Sequence, residues 1–134
     1  MAKNKRNNPS IPAAPVSQVT FRMCGLYFES LATHPGAADK VTEFMKAKSA
    51  NPTAPVWKDT PFVAAGPIGS LGLNIKHAHN TKDLSICYRI HGRPPMIDIY
   101  GVFSHKELGT TDDSKIRTQQ QMAIKFGNQT NKFA

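Results

Sequence analysis

Two runs of alternating residues, split by a break of five, constrain this chain more than anything else in it. Leu84, Ile86, Tyr88 and Ile90 alternate with Ser85, Cys87 and Arg89, the period of two expected of a half-buried strand. His91, Gly92, Arg93, Pro94 and Pro95 interrupt the pattern, because proline removes a ladder donor and glycine relaxes the backbone. Ile97, Ile99, Gly101 and Phe103 then alternate with Met96, Asp98, Tyr100 and Val102. Such runs around a short Gly/Pro segment predict an antiparallel hairpin. Four of the five histidines lie between Lys76 and Gly109. His77 and His79 lead into the first strand and His105 follows the second. Those two ends lie side by side in an antiparallel pair, so His77, His79, Asp83 and His105 are expected to converge at one edge of the sheet.

The rest of the chain reads around that hairpin. Residues 1–18 mix Lys, Asn, Pro and Ser with little to bury, and are expected to form a flexible basic arm. It serves either as a solubilising tail or as an arm that contacts nucleic acid. Residues 19–127 form a single domain, and 128–134 a polar C-terminal end. Val19, Phe21, Met23 and Gly25 suggest a first strand, and Leu26, Tyr27, Phe28 and Leu31 either continue it or begin a helix. Thr33-His34-Pro35-Gly36 reads as a turn, with His34 a loop residue of no chemical role. Ala37 to Ser49 is the clearest helix: Val41, Phe44, Met45 and Lys48 recur at helical spacing, with Asp39 near its start and Lys46 and Lys48 near its end. Trp57 to Leu71 is loop-like, and Trp57 is either a core anchor or a base-stacking residue. Thr111, Asp112 or Asp113 is placed to cap a last helix over about Ser114 to Phe126. Ile116, Met122, Ala123 and Phe126 are available for its packing, and Lys115, Arg117 and Lys125 for its exposed face. Helices segregated from a run of strands give an α+β class.

At 134 residues and 40% apolar, the chain is large enough to bury one ordinary core. No apolar run approaches the roughly 20 residues that cross a bilayer, and no signal-peptide pattern opens it. Cys24 and Cys87 make neither a disulfide framework nor a metal-ligand spacing, so a reducing, cytoplasmic setting is expected. The formal charge of +8 and a pI near 9.7 favour a polyanionic partner, because phosphate contacts release counterions. Lys3, Lys5 and Arg6 belong to the arm, and the domain stays basic without them. Nucleic acid is the expected partner. A membrane surface is disfavoured, since no helix pairs a basic face with a large apolar one.

The residues of the hairpin edge suit metal-free cleavage of RNA. That chemistry takes a proton from a ribose 2′-OH, returns one to the leaving 5′ oxygen, and needs cations against the charge that develops on phosphorus. Histidine suits both proton roles because its ordinary pKa of about 6.5 lies near working pH. His79 and His105 are candidates for the acid/base pair, with Asp83 orienting one of them. Arg89 is the candidate phosphate clamp, because a guanidinium forks onto paired oxygens. Lys76, Lys82 and Lys106 would add backbone-positioning charge, and His77 would show to the same side of a strand as His79.

The run from Ala78 to Leu108 resembles the catalytic half of the YafQ branch of the RelE/ParE-like toxins. The matching residues are Ala78-His79, Asp83 four residues later, Ile86-Cys87-Tyr88-Arg89, and His105 in the segment SHKELG. Upstream, Trp57-Lys58-Asp59-Thr60-Pro61-Phe62 is similar to a Lys-Asp-His-Pro-Leu segment of that branch, with Thr60 in place of its histidine. The resemblance covers about half the chain and implies a small basic α+β protein, with two N-terminal helices on a small twisted antiparallel sheet. It also implies a ribosome-dependent messenger RNA interferase of a toxin-antitoxin pair, with His79, Asp83 and His105 in the RNA site, no cofactor, and an acidic antitoxin as partner. The C-terminal helix would be an addition to that fold.

Two other functions remain open on the sequence. ParE-like members act by binding gyrase, so a non-catalytic binder of RNA or protein is the alternative, and Thr60 could mark lost chemistry. A metal site is the third, since His77, His79 and His105 could supply three nitrogen ligands.

Overall fold

The computed structural model describes residues 19–80, 83–110 and 115–134. The expected arm, Lys82 and the expected caps Thr111, Asp112 and Asp113 lie outside the described residues. The chain runs through strand β1 (Thr20–Met23), helix α1 (Gly25–Thr33), a 3-10 turn (Pro35–Ala37) and helix α2 (Ala38–Ala50). Strands β2 (Lys58–Pro61), β3 (Lys76–His79), β4 (Ser85–His91) and β5 (Met96–Phe103) follow, then the single-turn helix α3 (His105–Leu108) and helix α4 (Ile116–Gln129). The class is α+β.

The expected hairpin is the centre of the sheet. β4 pairs antiparallel with β5 from Ser85 opposite Phe103 to His91 opposite Met96. The five strands lie in the order β1-β5-β4-β3-β2. The sheet is mixed and not purely antiparallel as expected, because β1 runs parallel to β5, with Thr20 opposite Met96 and Met23 opposite Ile99. A parallel neighbour needs a long crossover, and here α1, α2 and strands β2 to β4 all intervene.

Strict alternation fails in β5. Cys87 lies opposite Gly101 while Tyr88 lies opposite Ile99, so Tyr100 is an extra residue, a β-bulge. Ile97, Ile99 and Val102 therefore share one face with Ile86, Tyr88 and Ala78, while Gly101 and Phe103 fall on the other. Gly101 cannot be replaced there. A Cβ would lie 2.6 Å from the Phe103 ring and 2.9 Å from Ser30 Oγ, far inside van der Waals contact. That closeness lets α1 sit against β5, where the Val102 N–H donates to Ser30 Oγ at 3.0 Å.

α2 covers the first face through the stripe expected of it: Val41 and Phe44 are buried, and the Phe44 ring meets Tyr88 edge-on at 4.9 Å. α4 covers the second, with Phe126 stacked 5.0 Å from Tyr100 and 5.8 Å from Phe103. β4 is thus covered on both sides, which is why Cys87 and Ser85 are as buried as Ile86. Both cysteines are buried free thiols. α4 extends to Gln129, beyond its expected end, and Phe133 packs edge-on to Tyr100 at 4.9 Å. Ala134 and Met23 exchange two backbone hydrogen bonds, of 2.9 and 3.1 Å. The segment expected as a polar end is therefore packed on the core.

β2 lies in the stretch expected to be loop. Its KDTP residues carry no strand pattern, and Pro61 is tolerated because β2 is an edge strand that pairs only with β3. Two charged hubs hold the sheet together. At the β2 side, the buried Lys48 Nζ donates to Asp59 Oδ2 at 2.9 Å and to the Ala54 carbonyl at 2.8 Å. The Tyr88 hydroxyl and the Val56 N–H also donate to Asp59. At the β1 side, the fully buried Asp98 accepts from Arg22 in a two-pronged pair at 2.7 and 2.9 Å, from Arg89 Nε at 3.0 Å, and pairs with His91 at 2.8 Å. Burial would push the Asp98 carboxyl up, but Arg22, His91 and Arg89 together hold it below the usual range. No described helix is long and apolar enough to cross a membrane.

Candidate functional site

β3 sets the site. It pairs antiparallel on both sides, with His79 opposite Ser85 of β4 and Lys58 of β2, and His77 opposite Cys87 and Thr60. A period of two puts His77 and His79 on one face with Lys58 and Thr60, while Lys76 and Ala78 turn to the other. α3 begins where β5 ends, beside β4. Ser104 caps it with a full capping box, accepting from the Glu107 N–H at 3.1 Å while its own N–H donates to Glu107 Oε1 at 2.8 Å. That cap fixes His105 at the first helical position. His34 is not an idle loop residue: its Nε2 lies 2.6 Å from Glu107 Oε1 and ties the end of α1 to this turn.

The expected convergence is present for three residues. The His79 and His105 rings stack with centroids 4.4 Å apart, tilted by 31°. Asp83 Oδ1 accepts from the His105 backbone N–H at 3.1 Å and lies 3.5 Å from its ring Nδ1. His77 adjoins the pair. Its Nε2 is 3.3 Å from Thr60 Oγ1 and its ring lies 4.5 Å from that of Phe62. Partial burial lowers the pKa of His79 first, and His105 and Lys58 lower it further. Burial also lowers that of His77, aided by His105 and His79. Both imidazoles are thereby shifted toward the neutral form, which can accept a proton.

Two pockets flank this row. One of about 450 Å³ is lined by Trp57, Lys58, His79 and Asn80. The Lys40 Nζ sits 5.6 Å from the centroid of the Trp57 ring, and Trp57 itself holds a left-handed φ of 58°. The other pocket, of about 540 Å³, lies beyond His77, between Thr60, Phe62, Ile68 and Gln119. Beneath the row, Ser85 Oγ is buried with no hydrogen-bond partner among the described residues.

Arg89 is not at this site. It lies four residues along β4 from Ser85, about 13 Å at strand rise, and its guanidinium is engaged by Asp98 and the Thr130 carbonyl. Alternation puts Arg89 on the face opposite Leu84, Ile86, Tyr88 and Ile90, but Asp98, directly opposite on β5, claims it. The phosphate clamp expected of Arg89 is corrected accordingly: the cations beside the histidines are Lys58 and Lys40, which sequence reasoning passed over. Lys58 was readable, since any strand through Lys58-x-Thr60 beside His77-x-His79 puts it there. Lys40 comes from α2, and only the tertiary fold brings it near. Lys106 is exposed on α3, next to His105, whereas Lys76 lies on the opposite face of β3. Among the described residues no group of three His, Cys, Asp or Glu side chains is arranged to hold a metal ion, and His77, His79 and His105 therefore form no such set.

No protein-family model, no curated protein and no solved structure matches the chain.

Proposed function

We propose that the histidine edge cleaves RNA, as a RelE-like fold of the YafQ type acting on messenger RNA at the ribosome in the cytoplasm. The observation that carries this reading is the stacked His79–His105 pair, with Asp83 on His105 and lysines beside His79. What supports the finer fold reading is the pair of helices α1 and α2 ahead of antiparallel strands β2 to β5. The fold and the site both depart from the family pattern at named points: the mixed sheet, Thr60, and Arg89.

His79, neutral because burial and its cationic neighbours disfavour its charged form, takes the proton from a ribose 2′-OH. The 2′ oxygen attacks the adjacent phosphorus and the bond to the 5′ oxygen breaks. His105, oriented by Asp83, gives that oxygen a proton. The products are a 2′,3′-cyclic phosphate and a 5′-OH end. Lys58 and Lys40 offset the charge that builds on the phosphoryl oxygens. His77 hydrogen-bonds Thr60 at the position where the resembling segment carries histidine, so an imidazole is still present on that face. An acidic antitoxin covering the edge would neutralise it.

One observation favours a second reading. Arg22 and Arg89, which lie on the histidine face of the sheet, are both bound to Asp98 and not turned to the histidines. A protein that occupies RNA or a protein target without cutting is consistent with that. Mapping message ends in a translation system with purified protein separates the two. The proposal expects cut messages bearing 5′-OH ends on ribosomes, absent with His79→Gln and His105→Ala. Intact message with translation still blocked gives the second reading. Untouched translation removes both.

A further inference from the structure

The two pockets lie on either side of the imidazole row, and each has an aromatic floor. The Trp57 pocket opens beside His79; the Phe62 pocket opens beside His77. His77 and His79 are two residues apart on β3, about 7 Å at strand rise, close to the step between neighbouring phosphates of an extended single strand. We propose that these pockets receive the two nucleobases flanking the phosphate held at His79 and His105, so that a single-stranded dinucleotide straddles the β2–β3 edge. This inference rests on the RNA-cleaving reading of the same edge.

The chemistry of each pocket fits a base. Single-stranded nucleic acid is held by stacking on aromatic side chains together with cations that track the backbone, and sequence-specific RNA readers splay bases out in this way. Trp57 is half-buried, presents its indole to the pocket, and has Lys40 over its ring and Lys58 next in the chain. The Phe62 pocket offers a ring that lies 4.5 Å from the His77 imidazole, with the Thr60 hydroxyl and His77 Nε2, 3.3 Å apart, in its lining as polar groups that a base could engage. Its back wall is built tightly: a Cβ on Gly69 would fall 2.0 Å from the Val63 carbonyl oxygen, so the turn that shapes it admits no side chain there. Both volumes lie in the range of small-molecule sites. The Trp57 pocket offers an indole and the Lys58 charge, with the Asn80 amide in its lining, and by stacking should take any base. The Phe62 pocket has hydrogen-bonding groups at fixed positions, and should choose.

The chain has one tryptophan, so occupancy of the first pocket can be read on the unaltered protein. The probe is a set of 2′-O-methyl trinucleotides, which lack the attacking hydroxyl, beside an abasic sugar-phosphate trimer. Binding is followed both by anisotropy of a labelled end and by Trp57 fluorescence. The inference expects quenching by every base-bearing trimer and none by the abasic one. It also expects Thr60→Val to weaken the preferred trimer about tenfold and the others little, and to broaden the base preference of message ends cut on ribosomes, whereas Phe62→Leu weakens every base-bearing trimer alike. Binding without quenching, or a base preference of the cut sites unchanged in Thr60→Val, overturns the pockets and leaves the cleavage reading intact. If no trimer binds and no message is cut, both fall together.

Discussion

At the scale of single residues, the histidine edge divides into groups that work and groups that position. His105 is at the start of a one-turn helix with 36% of its side chain exposed, and its removal takes away no core. His105→Ala is expected to abolish cleavage while keeping unfolding free energy within about 1 kcal/mol, as substitutions at surface sites usually do; urea melts beside a cleavage assay check it. A large stability loss would instead make the ring a structural prop. The base has a pH signature. His79 must be neutral to accept a proton, and burial with His105 and Lys58 lowers its pKa from the ordinary 6.5. The acidic limb of kcat/KM should therefore have its midpoint below 6.5. A midpoint above 6.5 would hand the base role to another group. His79, Asp83 and His105 were legible because hairpin geometry alone unites two strand ends. Arg89 misled because its partner Asp98 sits in the other strand, and the alternating pattern says which face a side chain takes but not what already occupies that face.

At the scale of elements, the edge strand β2 is the weakest part of the sheet and the most dependent on a side chain. It pairs only with β3, carries a proline, and is fastened to α2 and β4 through Asp59. Removing that carboxylate would strand the buried Lys48 ammonium, and breaking a buried pair from one side costs about 3–5 kcal/mol. Asp59→Ala should cost about that much, and hydrogen exchange should show the amides of Lys58 and Thr60 losing protection first. Lys48→Met in the same chain should recover part of the loss, because the uncompensated charge is gone. β2 was illegible for a physical reason: a strand whose outer edge faces water and whose residues are mostly polar needs no hydrophobic alternation. The bulge at Tyr100 was hidden likewise, since an inserted residue leaves the composition of a strand unchanged and only shifts its phase. α2 was read nearly to the residue, Lys48 included in its stripe, because three turns of amphipathic spacing over-determine a helix.

At the scale of the whole molecule, the excess of positive charge is a long-range property shared by the domain and the residues before it. Association with a single-stranded RNA should weaken steeply with salt, with a slope of log K against log salt of about −0.7 for each phosphate contacted. Two or three phosphates at the edge predict a slope near −2. Fluorescence titrations between about 50 and 200 mM salt check it, and a flat response would remove polyanion binding from the account. Composition raised this expectation, while the location of the charge had to await the fold.

The two charged hubs lie toward opposite sides of one sheet, and the side chains proposed to act on RNA lie beside the Asp59 hub, on β3 and at alternate positions of β2 itself. Of Trp57, Lys58, Thr60, Phe62, His77 and His79, only Trp57 and Phe62 also pack against the core, and none is itself a member of either hub. A chain organised so can exchange one recognition specificity for another by drift at a few surface positions, while its framework is kept by selection on quite different residues. A combinatorial library at those six positions would be expected to yield mostly folded members, whereas one of equal size at Lys48, Asp59, Tyr88, Arg89, Asp98 and Gly101 would yield few.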